Sequence, residues 1–392
     1  MKDFIFKMPR KIEVGFSKSR DLSKIIKEMK LNKVLIVVDY NLKKMGIVDH
    51  IFDNLNEGNI SFTIFDNIKN EPTITEVDQA IDDLNVASKY DGIIGIGGGS
   101  SIDVAKLLAV SGSVKDSIKN YIGTNLIDKP GIPMIMLPAT SGTGAEVTPN
   151  AIVKDKKEGW KQGVVSPYLI PDLVILDPEL TLSLPPKVTA ETGIDAFTHA
   201  IECFICNKSN VLSDLFALDS MRLINNYLRR AVRNGNDKEA RYYMAIGSLY
   251  GGIAITNSGT GGVHALAYPL GGKYNISHGL SNSILLAEVM EFNAEAVPEK
   301  FIKVADVMEI ETTNFTKEKI VKSVVDEIRK LVNDIGITIE GFEVSEKVLD
   351  NLAKLAISEQ QRLLKNNPRP ISYEDARQIY RKVLLNYYIE KI

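Results

Sequence analysis

The first half of the chain alternates short apolar runs with amphipathic stretches. Val34-Leu35-Ile36-Val37-Val38 ends in Asp39, and Phe62-Thr63-Ile64-Phe65 ends in Asp66. Ile93-Ile94-Gly95-Ile96 runs into glycines, Met134-Ile135-Met136-Leu137 stops at Pro138, and Leu173-Val174-Ile175-Leu176 stops at Asp177-Pro178. Apolar runs without polar alternation predict strands buried on both faces, hence a parallel sheet covered by the intervening helices. Lys11-Ile12-Glu13-Val14-Gly15 reads as an additional edge strand. After Leu184-Pro185-Pro186 the strand-like runs largely vanish and helical periodicity takes over, as in Ile320-Val321-Val324-Val325-Ile328-Leu331-Val332. The pattern therefore predicts a parallel-sheet α/β domain over residues 1–183 and an all-α domain over 184–392.

A chain of 392 residues accommodates two or three such domains. Its composition, 44% hydrophobic and 25% charged, is that of a soluble globular protein. A net charge of −3 gives no electrostatic case for nucleic acid or an anionic membrane. No apolar run approaches a membrane span, and Met1–Lys7 has no stretch long enough for a signal peptide, so the expectation is a cytoplasmic enzyme. The two cysteines form Cys203-Phe-Ile-Cys206. With no second pair to complete a zinc site, they read as small apolar core residues rather than as redox or metal ligands.

Two loops carry the chemistry of the first half. Gly97-Gly98-Gly99-Ser100-Ser101 follows a strand and leads into a helix. Three consecutive glycines are too costly in chain entropy for a plain turn, and they let backbone N–H groups and a helix N-terminus face a diphosphate. The usual Gly-x-Gly-x-x-Gly fingerprint is not met, because Ser100 stands where its last glycine would be. Asp39 closes an earlier strand. It reads either as a ribose-binding carboxylate that disfavours a 2′-phosphate or as the N-cap of the next helix. Pro138-Ala139-Thr140-Ser141-Gly142-Thr143-Gly144-Ala145-Glu146 is a second strand-to-loop segment, and its density of hydroxyls suits a cofactor's phosphates and amide.

In the second half, three of the four histidines join one aspartate. Asp195 and His199 are four apart and share a helix face; His264 and His278 follow. Three imidazoles and a carboxylate make a ligand set for a divalent metal. The only glycine-dense region of this half, Gly251 to Gly272, surrounds His264 and implies tight backbone approach there.

Taken together and in order, Gly97-Gly98-Gly99-Ser100-x-x-Asp103, Thr140-Ser141-Gly142-Thr143-Gly144-x-Glu146, Asp195-x-x-x-His199-x-x-Glu202 and His264-x-x-x-x-Pro269-x-Gly271…His278-Gly279 resemble the iron-dependent (group III) alcohol dehydrogenases, whose members include lactaldehyde reductases, 1,3-propanediol dehydrogenases and butanol dehydrogenases. The likeness runs from Phe6–Gly15 to Asn367-Pro368-Arg369-Pro370. It implies a dinucleotide-binding α/β domain, a helical domain and an active site in the cleft. It also implies Fe²⁺, or Zn²⁺, on Asp195, His199, His264 and His278. NAD would be lined by Asp39, Gly98, Gly99, Ser100, Asp103, Thr140, Ser141 and Thr143, with Asn150 and Lys161 towards the nicotinamide. Aspartate at position 39 is the NAD-preferring choice. Many members relay the alcohol proton through a histidine four residues after the third ligand; here that position is Tyr268, whose hydroxyl is a poor base at neutral pH. Tyr268 is thus the expected proton relay or a packing residue, and Lys161 a second catalytic candidate. The expected substrate is a small neutral alcohol, diol or aldehyde, and the expected assembly a homodimer or larger. Rival readings are a glycerol dehydrogenase-like zinc enzyme, a dehydroquinate synthase-like lyase and a non-catalytic NAD-binding assembly protein.

Overall fold

The computed structural model describes residues 3–68, 71–155, 160–274, 276–338 and 344–389. The chain forms two compact units: Met8–Leu184, and Met1–Lys7 together with Pro185–Ile392. The division differs from the 1–183 and 184–392 expected from the pattern at Leu184, which closes the first unit, and at the opening residues, which go with the helices. Within the helical unit Phe6 stacks on Phe216 with centroids 5.8 Å apart, and the Lys7 backbone exchanges two hydrogen bonds with the Asn257 amide.

In the first unit, β1 (Lys11–Val14), β2 (Lys33–Val38), β3 (Ser61–Phe65), β4 (Gly92–Gly97), β6 (Met134–Pro138) and β9 (Leu173–Leu176) form one sheet, ordered β1-β9-β6-β4-β2-β3. Every pairing in it is parallel. The continuous apolar runs are explained by its two covered faces. Leu35 and Val37 of β2 enter one buried cluster, whereas Val34, Ile36 and Val38 enter the other. Helices α1 (Leu22–Glu28), α2 (Tyr40–Lys44), α3 (Asp49–Glu57), α4 (Ile74–Leu84), α5 (Val86–Lys89) and α6 (Gly99–Ala109) intervene. The chain passes outward from β2 to β3, then returns to β4 on the other side of β2. The strand order therefore reverses between β2 and β4, and ligands of open α/β sheets bind outside the carboxyl ends of such a pair.

A second sheet was not expected from the pattern. It joins β5 (Gly123–Thr124), β8 (Trp160–Val165) and β7 (Asn150–Asp155), with β7 and β8 antiparallel and Ile152 opposite Gly163. Polar residues interrupt both hairpin strands, so neither shows as an apolar run.

The second unit is helical among the described residues. Its elements are α7 (Pro186–Ile205), α8 (Val211–Arg233), α9 (Lys238–Asn257), α10 (Gly262–Tyr274), α11 (His278–Ala294), α12 (Pro298–Val307), α13 (Lys317–Asp334), α14 (Glu346–Glu359), α15 (Gln361–Leu364) and α16 (Tyr373–Ile389). Helix α7 is central and packs against α8, α9 and α11. Cys203 and Cys206 are buried free thiols near its end. No described helix is long and apolar enough to cross a membrane.

Candidate metal centre

Three helices deliver the four candidate ligands. Asp195 and His199 lie one turn apart on α7, His264 in the first turn of α10, and His278 at the first position of α11. Gly279 permits the α11 approach, because a Cβ there would stand 2.3 Å from the Glu191 carbonyl oxygen, one turn before Asp195. The Glu191 side chain also accepts a hydrogen bond from Ser277 Oγ at 2.6 Å, locking the start of α11 to α7. The closest approach in this region is made by Gly279, and of the glycines around His264 Gly262 is also tight, since a Cβ there would stand 2.8 Å from Asn367 Oδ1. Gly262 donates its N–H to Asn367 Oδ1 at 3.0 Å.

The four donor atoms lie within 4.8 Å of one another. Asp195 Oδ1 is 3.9 Å from Nε2 of His199, 3.9 Å from Nε2 of His264 and 3.8 Å from Nε2 of His278. Four ligands at metal distance from one tetrahedral ion stand about 3.4 Å apart, so a small contraction closes this set around a divalent ion. The donors fit in kind as well. Glu202, buried on α7, accepts from the Val263 N–H at 2.6 Å and lies 2.5 Å from His264 Nδ1. That pairing places the imidazole proton on Nδ1 and bares Nε2 towards the other donors. Burial pushes the Asp195 carboxylate up, but in the metal-free cluster protonated imidazoles, which a metal would displace from that state, and the Asn282 amide outweigh it and hold its pKa at about 2. The carboxylate is therefore anionic, as a ligand must be. Tyr268 stacks on His278, with ring centroids 5.6 Å apart and planes 19° apart.

The first unit brings the other candidates to the β2–β4 reversal. Gly97 has a φ of +147°, which L side chains rarely adopt. A Cβ there would meet Ser101 Oγ at 2.8 Å and Asp39 Cβ at 3.0 Å. Gly98 and Gly99 face Thr140 and Thr143 of the second loop, and Ala139 N–H donates to the Gly97 carbonyl at 2.9 Å. The Ser101 hydroxyl is buried at the start of α6 without a hydrogen-bond partner. A bare glycine cradle, a helix N-terminus and an orphaned hydroxyl fit a cofactor phosphate. Asp39 caps α2: its Oδ1 accepts from Asn41 N at 2.8 Å and Leu42 N at 3.1 Å, leaving Oδ2 outside the cap. Ser100 is the second residue of α6, and Ser141 lies in the loop after β6.

Asp103 and Lys161, both expected towards the cofactor, each have a protein partner. Asp103 Oδ2 accepts from Ile152 N at 3.0 Å, and the fully buried Lys106 donates from Nζ to the Asn150 carbonyl at 2.8 Å. Helix α6 thereby fixes the start of β7, where Asn150 lies. Lys161 pairs with Glu71. Glu202 was visible in the sequence only as part of a motif, one turn after His199. Asn282, which touches the donor cluster, was not singled out; its signal was its position one turn after His278.

Two family models together span most of the chain: iron-containing alcohol dehydrogenase over residues 9–178, and the C-terminal part of the Fe-containing alcohol dehydrogenase family over 189–384. The chain belongs to the iron-containing alcohol dehydrogenase family. It is 38% identical over 383 residues to long-chain-alcohol dehydrogenase 1 of Geobacillus thermodenitrificans strain NG80-2, covering 96% of each protein. A crystal structure of 1,3-propanediol oxidoreductase superposes with a TM-score of 0.93 at 31% identity, covering 97% of this chain and 100% of the other. Sulfoacetaldehyde reductase from Bifidobacterium kashiwanohense, crystallised with NAD⁺, gives 0.88 at 28% identity over 98% and 99%. As a member of this family the protein is a metal-dependent oxidoreductase of the alcohol–aldehyde type. The lyase, the glycerol dehydrogenase-like and the non-catalytic readings are not favoured.

Proposed function

We propose that this iron-containing alcohol dehydrogenase interconverts small neutral aliphatic alcohols or diols and their aldehydes with NAD(H), using Fe²⁺, or Zn²⁺ in its place, on Asp195, His199, His264 and His278. The observation that carries the reading is the convergence of three imidazole Nε2 atoms on one Asp195 oxygen at 3.8 to 3.9 Å. The relatives' named substrates, a long-chain alcohol, a propanediol and an aldehyde, support a carbinol–carbonyl couple.

When bound, a divalent ion supplies Lewis acidity to the substrate oxygen, and the nicotinamide supplies or accepts the hydride. The chain's own residues do the rest. Asp195 contributes the anionic donor, and Glu202 holds His264 with Nε2 bare. The Gly97–Gly99 cradle and the Thr140–Thr143 loop hold the diphosphate, with Ser100, Ser101 and Ser141 as hydroxyl donors. Asp39 Oδ2 takes the adenosine ribose, and its charge disfavours a 2′-phosphate. Asp103 and Lys106 orient the Asn150 end of β7, with Lys161 on the neighbouring strand. Tyr268, stacked on His278, handles the alcohol proton; its hydroxyl both donates and accepts. We also read the protein as cytoplasmic, and as a homo-oligomer because β1 is an edge strand whose one sheet neighbour is β9.

The test is NADH absorbance with a panel of alcohols, diols and aldehydes on metal-stripped protein, before and after anaerobic Fe²⁺. Turnover that appears only after loading, and is greatest with neutral aliphatic substrates, is the expected result. Turnover indifferent to chelation sinks the metal, and a strong preference for hydroxyacids sinks the substrate class. In the same assay Tyr268→Phe is expected to lower turnover and shift its pH profile; an unchanged profile leaves Tyr268 as packing only.

A further inference from the structure

The donor cluster contains a fifth polar group with no role so far. Asn282 lies one turn after His278 on α11 and is completely buried. Its Nδ2 donates to Asp195 Oδ1 at 2.6 Å and stands 3.3 Å from Nε2 of both His264 and His278. This is the same carboxylate oxygen that faces the three imidazoles. A carboxylate oxygen has lone pairs enough for an amide hydrogen and a cation together. The amide orientation follows from chemistry, because an amide oxygen at this distance from a carboxylate would be repelled. The other end of the amide, Oδ1, is then buried with no hydrogen-bond partner. A buried unpaired acceptor is destabilising, and an apolar side chain of similar size would fill the space without it. The amide is thus disfavoured by its surroundings in the core and favoured only by the donors it touches.

We propose that Asn282 is a positioning residue of the metal centre. Its amide holds the donor oxygen of Asp195 against the imidazole edges of His264 and His278, so the four donors stand converged before the ion arrives. The same hydrogen bond draws electron density from the carboxylate and so sets how strong an anion the ion meets. A neutral side chain also matters here, because a second carboxylate would add a competing anionic ligand. The inference rests on the metal reading of the cluster.

The test uses the full metal-stripped chain as wild type, Asn282→Ala and Asn282→Asp. Each is titrated anaerobically with Zn²⁺ and Co²⁺ against a chromophoric chelator; Co²⁺ visible bands report ligand geometry, and NADH fluorescence reports the α/β unit. Asn282→Ala is expected to weaken metal affinity by about 10- to 100-fold and to shift the Co²⁺ bands, with NADH binding unchanged. Asn282→Asp, nearly isosteric, is expected to bind Zn²⁺ more tightly than the alanine variant, with weaker Co²⁺ bands as the extra carboxylate joins the ion. An alanine variant within twofold of wild type and with its spectrum overturns the inference. If that variant does not fold, an aspartate variant with wild-type affinity and spectrum overturns it equally. A wild-type chain that takes up neither ion overturns the metal reading itself, a result distinguishable from uptake that the substitutions leave untouched.

Discussion

The crevice between β2 and β4 and the donor cluster on α7, α10 and α11 both gather polar groups, but they satisfy them in opposite ways. In the crevice the groups proposed to hold the cofactor are backbone N–H groups, small hydroxyls and one carboxylate, and the shape comes from missing side chains. In the cluster the candidate donors are four side chains that face one another, with the Asp195 carboxyl held well below the usual carboxylate range by its neighbours. A site made of absences is lost when something is added to it. A site made of converging donors is lost when one is taken away.

The largest effect is therefore expected from a deletion in the cluster. His278→Ala should abolish tight metal binding and lower turnover by more than about 10³-fold, while NADH fluorescence titrations change less than twofold. Metal content and NADH production are measured together; full activity in the chelator-treated variant would remove the cluster from the chemistry. The matching change in the crevice is an addition. Gly97→Ala places a Cβ 2.8 Å from Ser101 Oγ at a φ of +147° and should weaken NADH binding by about 10- to 100-fold, the range expected from such strain, without altering metal content. Wild-type NADH affinity in that variant would mean the cradle does not hold the cofactor. A smaller effect is expected from Asp39→Asn, which keeps an acceptor for the α2 cap but removes the charge. The ratio of NADP to NAD efficiency should rise by about five- to tenfold. An unchanged ratio would leave Asp39 as a helix cap alone.

The same contrast explains what the sequence disclosed. Buried parallel strands leave apolar runs, and the crevice sits at strand ends, so the Gly97 loop, the Thr140 loop and Asp39 were all legible as local text. The α/β-then-helical order was legible for the same reason. The β7–β8 hairpin was not, because Lys154, Lys161 and Gln162 break any apolar alternation. The cluster is assembled by packing of helices far apart in sequence. Its four candidate donors were visible only because histidine is scarce, and the family resemblance supplied the set. Asn282 and the role of Glu202 stayed hidden, since an asparagine or glutamate on a helix carries no mark of what another helix brings against it. Asp39 was left open between cap and ribose; its two oxygens allow both.

A last prediction concerns three buried ionisable groups of the α/β unit whose charged forms burial disfavours. Desolvation raises the Glu146 pKa from 4.5 to about 7, against weaker opposition from a backbone hydrogen bond and Lys106. Burial likewise raises Asp103 from 3.8 to about 6 and lowers Lys106 from 10.5 to about 8. Folded Glu146 therefore keeps its proton over a range where the unfolded chain has lost it. Its contribution to stability is complete below pH 4.5 and disappears as pH rises to about 7. Asp103 acts in the same direction between about pH 4 and 6, whereas Lys106 lets stability recover only above about pH 8. Glu146→Gln removes one of the two declines and leaves that of Asp103, with the recovery at Lys106 unchanged. The variant's thermal midpoint should gain on wild type between pH 5 and pH 8 by about 2 to 5 °C, the shift expected for one to two kcal/mol in a unit of this size. Melting curves at several pH values between those limits decide it. Parallel curves for the two proteins would mean that Glu146 is ionised throughout, with its charge balanced by Lys106.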